Sequence, residues 1–408
     1  MSMNQTPAAN RVHIGFFGRR NAGKSSIVNA VTGQSLAIVS PVKGTTTDPV
    51  YKTMELLPMG PVMIIDTPGI DDEGELGELR VKKTRQVLNK TDVAVLVVDG
   101  SVGMSDVDFQ MEQLFKDKEI PYVIVFNKAD LCSNWNILTD DKKDKSMPYL
   151  WVSAKEGMAI HELKERIAHL SRQETSKRRI VADLIEPGDF IVLVVPIDSS
   201  APKGRLILPQ QQTIRDILDA GAVSIVVKDT ELKETLEGLG KKPRLVVTDS
   251  QVFKQVSAMT PKDIPLTSFS ILFARYKGDL EGVVRGVRAL DQLQDEDCIL
   301  ISEGCTHHRQ CDDIGTYKIP KWIREYTGKN LKFEWTSGTE FPEDLTGYNM
   351  IIHCGGCMLN EREMRYRQKC AKDQNVPMAN YGVLIAHTQG ILKRSIEPFR
   401  DIYELLNR

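Results

Sequence analysis

The apolar positions of this chain gather into short continuous runs, His13–Phe17, Val62–Ile65, Tyr122–Phe126 and Leu150–Val152, separated by longer amphipathic stretches. Short apolar runs read as strands buried on both faces, and amphipathic stretches between them as helices that cover a parallel sheet. This alternation predicts a doubly wound, mostly parallel α/β domain over residues 11–172, behind a tail of residues 1–10. The polar stretch Ser171–Arg179 reads as a linker, and its basic run Lys177-Arg178-Arg179 as solvated. A second alternation follows: strand Phe190–Pro196, helix Thr213–Ala220, strand Val223–Val227, helix Glu231–Leu239, strand Arg244–Thr248 and helix Gln251–Met259. It predicts a small α/β domain, residues 173–266, whose bare sheet edge suits pairing with a second copy of the chain, a homodimer. Residues 267–408 form a third α/β unit, in which the apolar runs Ile299–Ile301 and Met350–Ile352 each lead into cysteine-bearing loops.

The loops that follow the first unit's strands carry recognisable chemistry. Gly18-Arg19-Arg20-Asn21-Ala22-Gly23-Lys24-Ser25 satisfies GxxxxGK[ST] between a strand and a helix, the context a phosphate-binding P-loop requires. Backbone N–H groups and the helix N-terminus favour anionic phosphates, so Gly18, Asn21, Ala22, Gly23, Lys24, Ser25 and Ser26 form the expected cradle. Lys24 is expected on the β/γ oxygens and the Ser25 hydroxyl on Mg²⁺. Asp66-Thr67-Pro68-Gly69 ends a strand, which places Asp66 to hold Mg²⁺ through water and the Gly69 N–H to sense a γ-phosphate. Gly44-Thr45-Thr46-Thr47-Asp48 supplies switch threonines, with Thr45 and Thr46 the candidates for Mg²⁺ and the γ-phosphate. In Asn127-Lys128-Ala129-Asp130 the Asp130 carboxylate accepts from guanine N1–H and the N2 amine together, a pairing adenine does not offer, and Ser153-Ala154-Lys155 completes the base pocket. The set predicts GTP binding and hydrolysis, with Lys24, Thr46, Asp66 and Gly69 as the catalytic candidates.

These motifs resemble the translation-factor-related GTPases, and the GTTTD and DTPG wording is nearest to the Era, Der and tRNA-modification branch. The resemblance implies that Asn21 helps hold a K⁺ ion beside the phosphates and that K⁺ replaces an arginine finger. Ile70 follows DTPG, where Ras-like proteins carry the glutamine that orients water.

The C-terminal unit concentrates soft donors. Six of the seven cysteines lie beyond residue 297, and Cys305-Thr306-His307 and His353-Cys354-Gly355-Gly356-Cys357 each follow an apolar strand. Ligands collect at the carboxyl ends of strands in α/β sheets, so the two arms can share one crevice. Cys305, Cys354 and Cys357, with His307 and His353 as further ligands or as groups that support the ligands, suit an Fe–S cluster; the spacing also allows zinc or unliganded structural cysteines. Cys311 and Cys370 read as small buried hydrophobes, and His387 as packing.

A net charge of −2 and the absence of a long basic tract argue against nucleic acid as the main partner, and no apolar run approaches the ~20 residues of a membrane span. The N-terminus does not resemble a signal peptide, and the expected location is cytoplasmic.

A GTPase, an intervening α/β unit and CxH…HCxxC in that order resemble the FeFe-hydrogenase maturation GTPases, the HydF family. The resemblance spans essentially the whole chain. It implies a 4Fe–4S cluster on Cys305, Cys354 and Cys357 whose fourth ligand varies. It also implies a scaffold or carrier that receives a transient diiron precursor from two radical S-adenosylmethionine maturases and passes it to apo-FeFe-hydrogenase. The alternatives are a redox-active Fe–S GTPase and a zinc-stabilised regulatory GTPase.

Overall fold

The computed structural model describes residues 7–33, 49–69, 83–132, 148–173, 178–197, 206–304, 313–338 and 340–406. The chain divides into two compact units, Met1–Ser176 and Lys177–Arg408.

In the first unit six strands form one sheet in the order β2-β3-β1-β4-β5-β6: β1 Val12–Phe17, β2 Val50–Leu56, β3 Gly60–Asp66, β4 Val93–Asp99, β5 Tyr122–Asn127 and β6 Tyr149–Trp151. All neighbours run parallel except β2, which pairs antiparallel with β3. The centre is β4, where Val93 through Val98 are all fully buried. Side chains alternate across a strand, so Val93, Val95 and Val97 pack with Ile14, Phe16 and Ile27 on one face. On the other face Ala94, Leu96 and Val98 pack with Phe17, Ile65 and Phe115. Each large aliphatic side chain contributes about 1.5–3 kcal/mol of burial, which makes this run the anchor of the sheet. The edge strand β2 escapes an apolar-run reading because most of its side chains are exposed or half-buried.

The second unit holds two parallel four-stranded sheets. One has the order β10-β9-β7-β8, with β7 Phe190–Val194, β8 Val223–Val227, β9 Leu245–Thr248 and β10 Leu266–Ser268. The other has the order β12-β11-β13-β14, with β11 Cys298–Glu303, β12 Lys332–Ser337, β13 Met350–His353 and β14 Met378–Asn380. One continuous core runs between them, from Ile180 to Phe399, taking in Val192 and Val246 of the first sheet and Ile301 and Ile352 of the second. Two helices inside this core are capped from strand ends. Ser268 accepts from the Ile271 N–H at the start of helix Phe269–Lys277, and Asn380 from the Val383 N–H at the start of helix Tyr381–Thr388. The expected border at 266/267 falls inside β10, and the sheets on either side share this core. Arg178 is exposed, and its guanidinium donates to the Gly278 carbonyl at 2.8 Å. No helix among the described residues is long and apolar enough to cross a membrane.

Candidate nucleotide and metal-cluster sites

β1 delivers the chain to Gly18 at φ 139°, where an added Cβ would lie 2.1 Å from the Val97 carbonyl oxygen, so only glycine lets the loop leave the sheet against β4. Asn21 (φ 61°) and Gly23 (φ 92°) then hold left-handed conformations, and Gly23 caps helix Lys24–Thr32. This sets the helix N-terminus at the carboxyl end of β1, where sheet order reverses and open α/β sheets bind ligands. Lys24 is buried, and its ammonium donates to the Gly18 and Arg19 carbonyls at 2.9 and 2.8 Å, so it folds over the loop it serves.

Ser25 Oγ donates to Asp66 Oδ2 at 2.9 Å, while Asp66 Oδ1 is buried with no hydrogen-bond partner. Burial raises the Asp66 pKa above the ordinary carboxylate value, against the Ser25 hydrogen bond and the Lys24 charge. A hydroxyl and a carboxylate side by side, with one buried oxygen unsatisfied, form a hard oxygen donor set that suits Mg²⁺. The turn at Gly69 lies against the phosphate loop, since a Cβ there would meet the Arg20 backbone nitrogen at 3.0 Å. Thr45 and Thr46 lie outside the described residues.

The base loops are tied to the phosphate loop by one amide. The buried Asn127 donates from Nδ2 to the Ala22 carbonyl and accepts at Oδ1 from the Ala154 N–H, both at 3.1 Å. A Cβ on Gly23 would meet Asn127 Nδ2 at 2.2 Å, a second reason for glycine there. Lys128, at φ 64°, pairs with Asp99 at 2.5 Å, and Ser153 Oγ donates to Asp130 Oδ1 at 2.6 Å, setting the carboxylate beside the Ser153–Lys155 loop. Lys155 is exposed beside Glu156. Sequence reasoning assigned nothing to Arg19, whose guanidinium pairs with the buried Asp108 at 3.0 Å and donates to the Gly103 carbonyl at 2.9 Å.

In the second unit β11 and β13 are adjacent and parallel, with Ser302 opposite His353. This register brings Gly304, the last described residue before Cys305, against Cys354. The Gly304 N–H donates to Cys354 Sγ at 3.0 Å, the Gly356 N–H reaches the same sulfur at 3.4 Å, and the Cys354 N–H donates to the Ser302 carbonyl at 3.0 Å. Backbone donors aimed at a sulfur favour its thiolate, the form that binds metal, and N–H···S bonds of this kind surround protein-held Fe–S clusters. Cys354, served in this way, fits one ligand position of a thiolate-held cluster. Cys305, His307, His308, Cys311 and Asp312 lie outside the described residues. Among the described residues no group of three or more His, Cys, Asp or Glu side chains is arranged around a common metal position.

His353 stands beside the cysteine loop, the place expected of a ligand or of a neighbour of one. It is fully buried, with Nε2 3.1 Å from Arg367 Nη1 and Nδ1 2.7 Å from the Cys354 carbonyl. Arginine only donates, so Nε2 accepts and Nδ1 carries the proton given to Cys354. Both ring nitrogens are thereby engaged by protein. Arg367 is itself fully buried and also bonds Glu363, Ser302 and the Gly338 carbonyl. Beneath the loop the Lys277 ammonium donates to the carbonyls of Gly356, Cys357 and Leu359. Burial lowers the Lys277 pKa to about 8 against the opposing influence of Cys357, Cys354 and Glu361, and burial raises the Cys357 thiol. Cys370, expected as a buried hydrophobe, is half-buried and packs against the Leu300–Ile351 cluster. His387 Nε2 lies 3.2 Å from both Tyr326 Oη and Asp291 Oδ1. Neither Lys277 nor Arg367 has a motif around it; their only sequence signal is a basic residue in an otherwise ordinary helix.

Fold and loops together define a P-loop GTPase domain followed by an α/β unit with a cysteine-bearing loop. Residues 13–128 match the family model described as 50S ribosome-binding GTPase. Residues 180–278 match the hydrogen maturase F dimerization domain and residues 281–398 the hydrogen maturase F tetramerization domain, and the chain belongs to the hydrogen maturase F family. GTPase Der of Wolinella succinogenes is 33% identical over 187 residues, 44% of this chain and 39% of that protein. The tRNA modification GTPase MnmE of Heliobacterium modesticaldum is 37% identical over 158 residues, 38% of this chain and 33% of that protein. The chain thus spans about two fifths or less of the length of these relatives. A solved structure of an Era variant from Aquifex aeolicus bound to GDP·AlF4⁻ is 21% identical and covers 56% of this chain and 98% of its own, at a TM-score of 0.35, too loose a likeness to bear on function.

Proposed function

We propose that this chain is a GTP-hydrolysing scaffold of FeFe-hydrogenase maturation, which holds a 4Fe–4S cluster and carries a diiron precursor to apo-hydrogenase. The observation that carries the reading is the Gly304 N–H on Cys354 Sγ, because it sets the residue before Cys305 against the Cys354–Cys357 loop in a chain whose other unit has the full set of GTP loops. In this reading Cys305, Cys354 and Cys357 hold the cluster, with His307 and His353 the candidates for its fourth or a neighbouring ligand. His353 acts from behind, keeping the Cys354 carbonyl in place through Nδ1. A cluster bound by three thiolates supplies one exchangeable iron position, to which a bridging ligand of the diiron substrate can attach and from which it can leave.

In the GTPase unit Lys24 binds the β/γ oxygens, Ser25 and Asp66 hold Mg²⁺, and Asp130 selects guanine. Asn21, exposed at the bend of the loop, offers an amide oxygen to K⁺. Nucleotide-dependent ordering of the switch segments biases contacts with partners, the two radical S-adenosylmethionine maturases and the hydrogenase, and needs no chemical link to the cluster. The dimerization and tetramerization domains supply self-association. The setting is the cytoplasm.

Anaerobic reconstitution tests the reading. Wild-type protein is expected to take up about four irons per chain. Serine at Cys305, Cys354 or Cys357 should abolish stable loading, and serine at Cys132, Cys298 or Cys370 should not. Zinc uptake without iron would contradict the scaffold reading and leave a regulatory GTPase.

A further inference from the structure

The buried cation under the Cys354–Cys357 loop has a role that the three cysteines alone do not supply. Lys277 ends helix Phe269–Lys277 and is 3% exposed. Its ammonium lies 3.2 Å from the Gly356 carbonyl, 3.1 Å from that of Cys357 and 2.8 Å from that of Leu359, and 5.7 Å from the Phe273 ring centre. An ammonium has three donors, and these three carbonyls use them all. A turn whose carbonyls converge on one cation presents its amides elsewhere, and here the Gly356 N–H is directed to Cys354 Sγ. Gly356 itself sits at φ 60°, with Met364 Sδ 2.6 Å from where a Cβ would be, so the turn is also fixed from its other side. A buried charge persists only when it is paired, and the electrostatic partners of Lys277 are Cys357, Cys354 and Glu361.

We propose that Lys277 is a positioning residue for the cluster: it clamps the Cys354–Leu359 turn before metal arrives and, once a cluster is bound, its charge favours the reduced, more negative form. The charge half of this inference rests on the scaffold reading; the clamp half does not.

Lys277→Met and Lys277→Arg in the full-length chain separate the two halves. In metal-free protein, hydrogen exchange at the amides of Gly355–Leu359 should accelerate about tenfold or more in Lys277→Met, with the rest of the second unit unchanged. Unchanged exchange overturns the clamp. In reconstituted protein the cluster midpoint potential should move to more negative values in Lys277→Met and return toward wild type in Lys277→Arg, which keeps the charge. An unmoved midpoint in Lys277→Met, or an equal shift in Lys277→Arg, overturns the charge assignment. Iron retention against a chelator should weaken about 10- to 100-fold in Lys277→Met, as for other groups that orient metal ligands. If Lys277→Met does not fold, Lys277→Gln, an uncharged side chain that keeps two donors but is one atom shorter, is read the same way for the midpoint potential, and its exchange should still accelerate, by less than in Lys277→Met; unchanged exchange overturns the clamp. Wild-type protein that takes up no iron removes the scaffold reading, while exchange in metal-free protein still decides the clamp.

Discussion

Asp66 shows at the scale of one residue how a metal site costs stability. It is half-buried, accepts from Ser25 and leaves the buried Oδ1 without a partner, and burial raises its pKa. A carboxyl whose folded-state pKa exceeds its unfolded value penalises folding at every pH above the folded-state value. The penalty shrinks as pH falls through the folded-state pKa and is gone below the ordinary value of 3.8. Asp66→Asn should therefore stabilise metal-free protein by about 0.5–2 kcal/mol at neutral pH while slowing Mg²⁺-dependent hydrolysis at least about tenfold. Thermal unfolding in a chelator, paired with a turnover assay, checks both signs. Asp130 makes a cleaner specificity test. Asp130→Asn should weaken GTP binding about 10- to 100-fold and gain affinity for xanthosine triphosphate, whose 2-oxo group suits an amide donor; unchanged GTP preference removes the assignment. Both residues are legible in the sequence because their motifs are contiguous and each stands at the end of an apolar run. Lys277 is not legible: it lies about 80 residues from the loop it holds, and nothing local distinguishes it from a solvated helix-end lysine.

Helix Glu361–Asp373 repeats the lesson at the scale of elements. Its sequence, Glu-Arg-Glu-Met-Arg-Tyr-Arg-Gln-Lys, reads as a solvated charged helix, yet Arg367 is buried entirely and Glu363 nearly so. Their i,i+4 pair at 3.0 Å extends through Ser302 to β11, through His353 to β13 and through the Gly338 carbonyl to the segment after β12. Arg367→Met leaves Glu363 charged and buried without its partner, at a cost of about 3–5 kcal/mol. The thermal midpoint of the second unit should fall by about 10 °C, and adding Glu363→Gln should restore part of it. Full retention of the midpoint would show that the helix is not keyed to the sheet this way. Elements rich in apolar residues are readable from sequence, as β7 at Phe190–Val194 demonstrates, because burial on two faces leaves no choice of residue. The edge strand β2 and the three-residue β10 are not, since an exposed edge and a short strand carry little patterned apolar area. The approach of Gly304 to Cys354 depends on register, Ser302 opposite His353, which pattern suggests and pairing defines.

At the scale of the whole molecule the nucleotide loops and the cysteine loop lie in different compact units. Separate units predict separable losses: Lys24→Ala should abolish GTP hydrolysis yet retain iron, and Cys354→Ser should do the reverse. Hydrolysis by the wild type should be much faster in K⁺ than in Na⁺, and Asn21→Ala should erase that difference. The central claim, that the chain is a carrier, is tested most directly by mixing cluster-bearing protein, loaded alongside the radical maturases, with purified apo-hydrogenase and following hydrogen evolution. The account predicts activation by wild-type protein, little by Lys24→Ala and none by Cys354→Ser. Loaded wild-type protein that never activates apo-hydrogenase would contradict it.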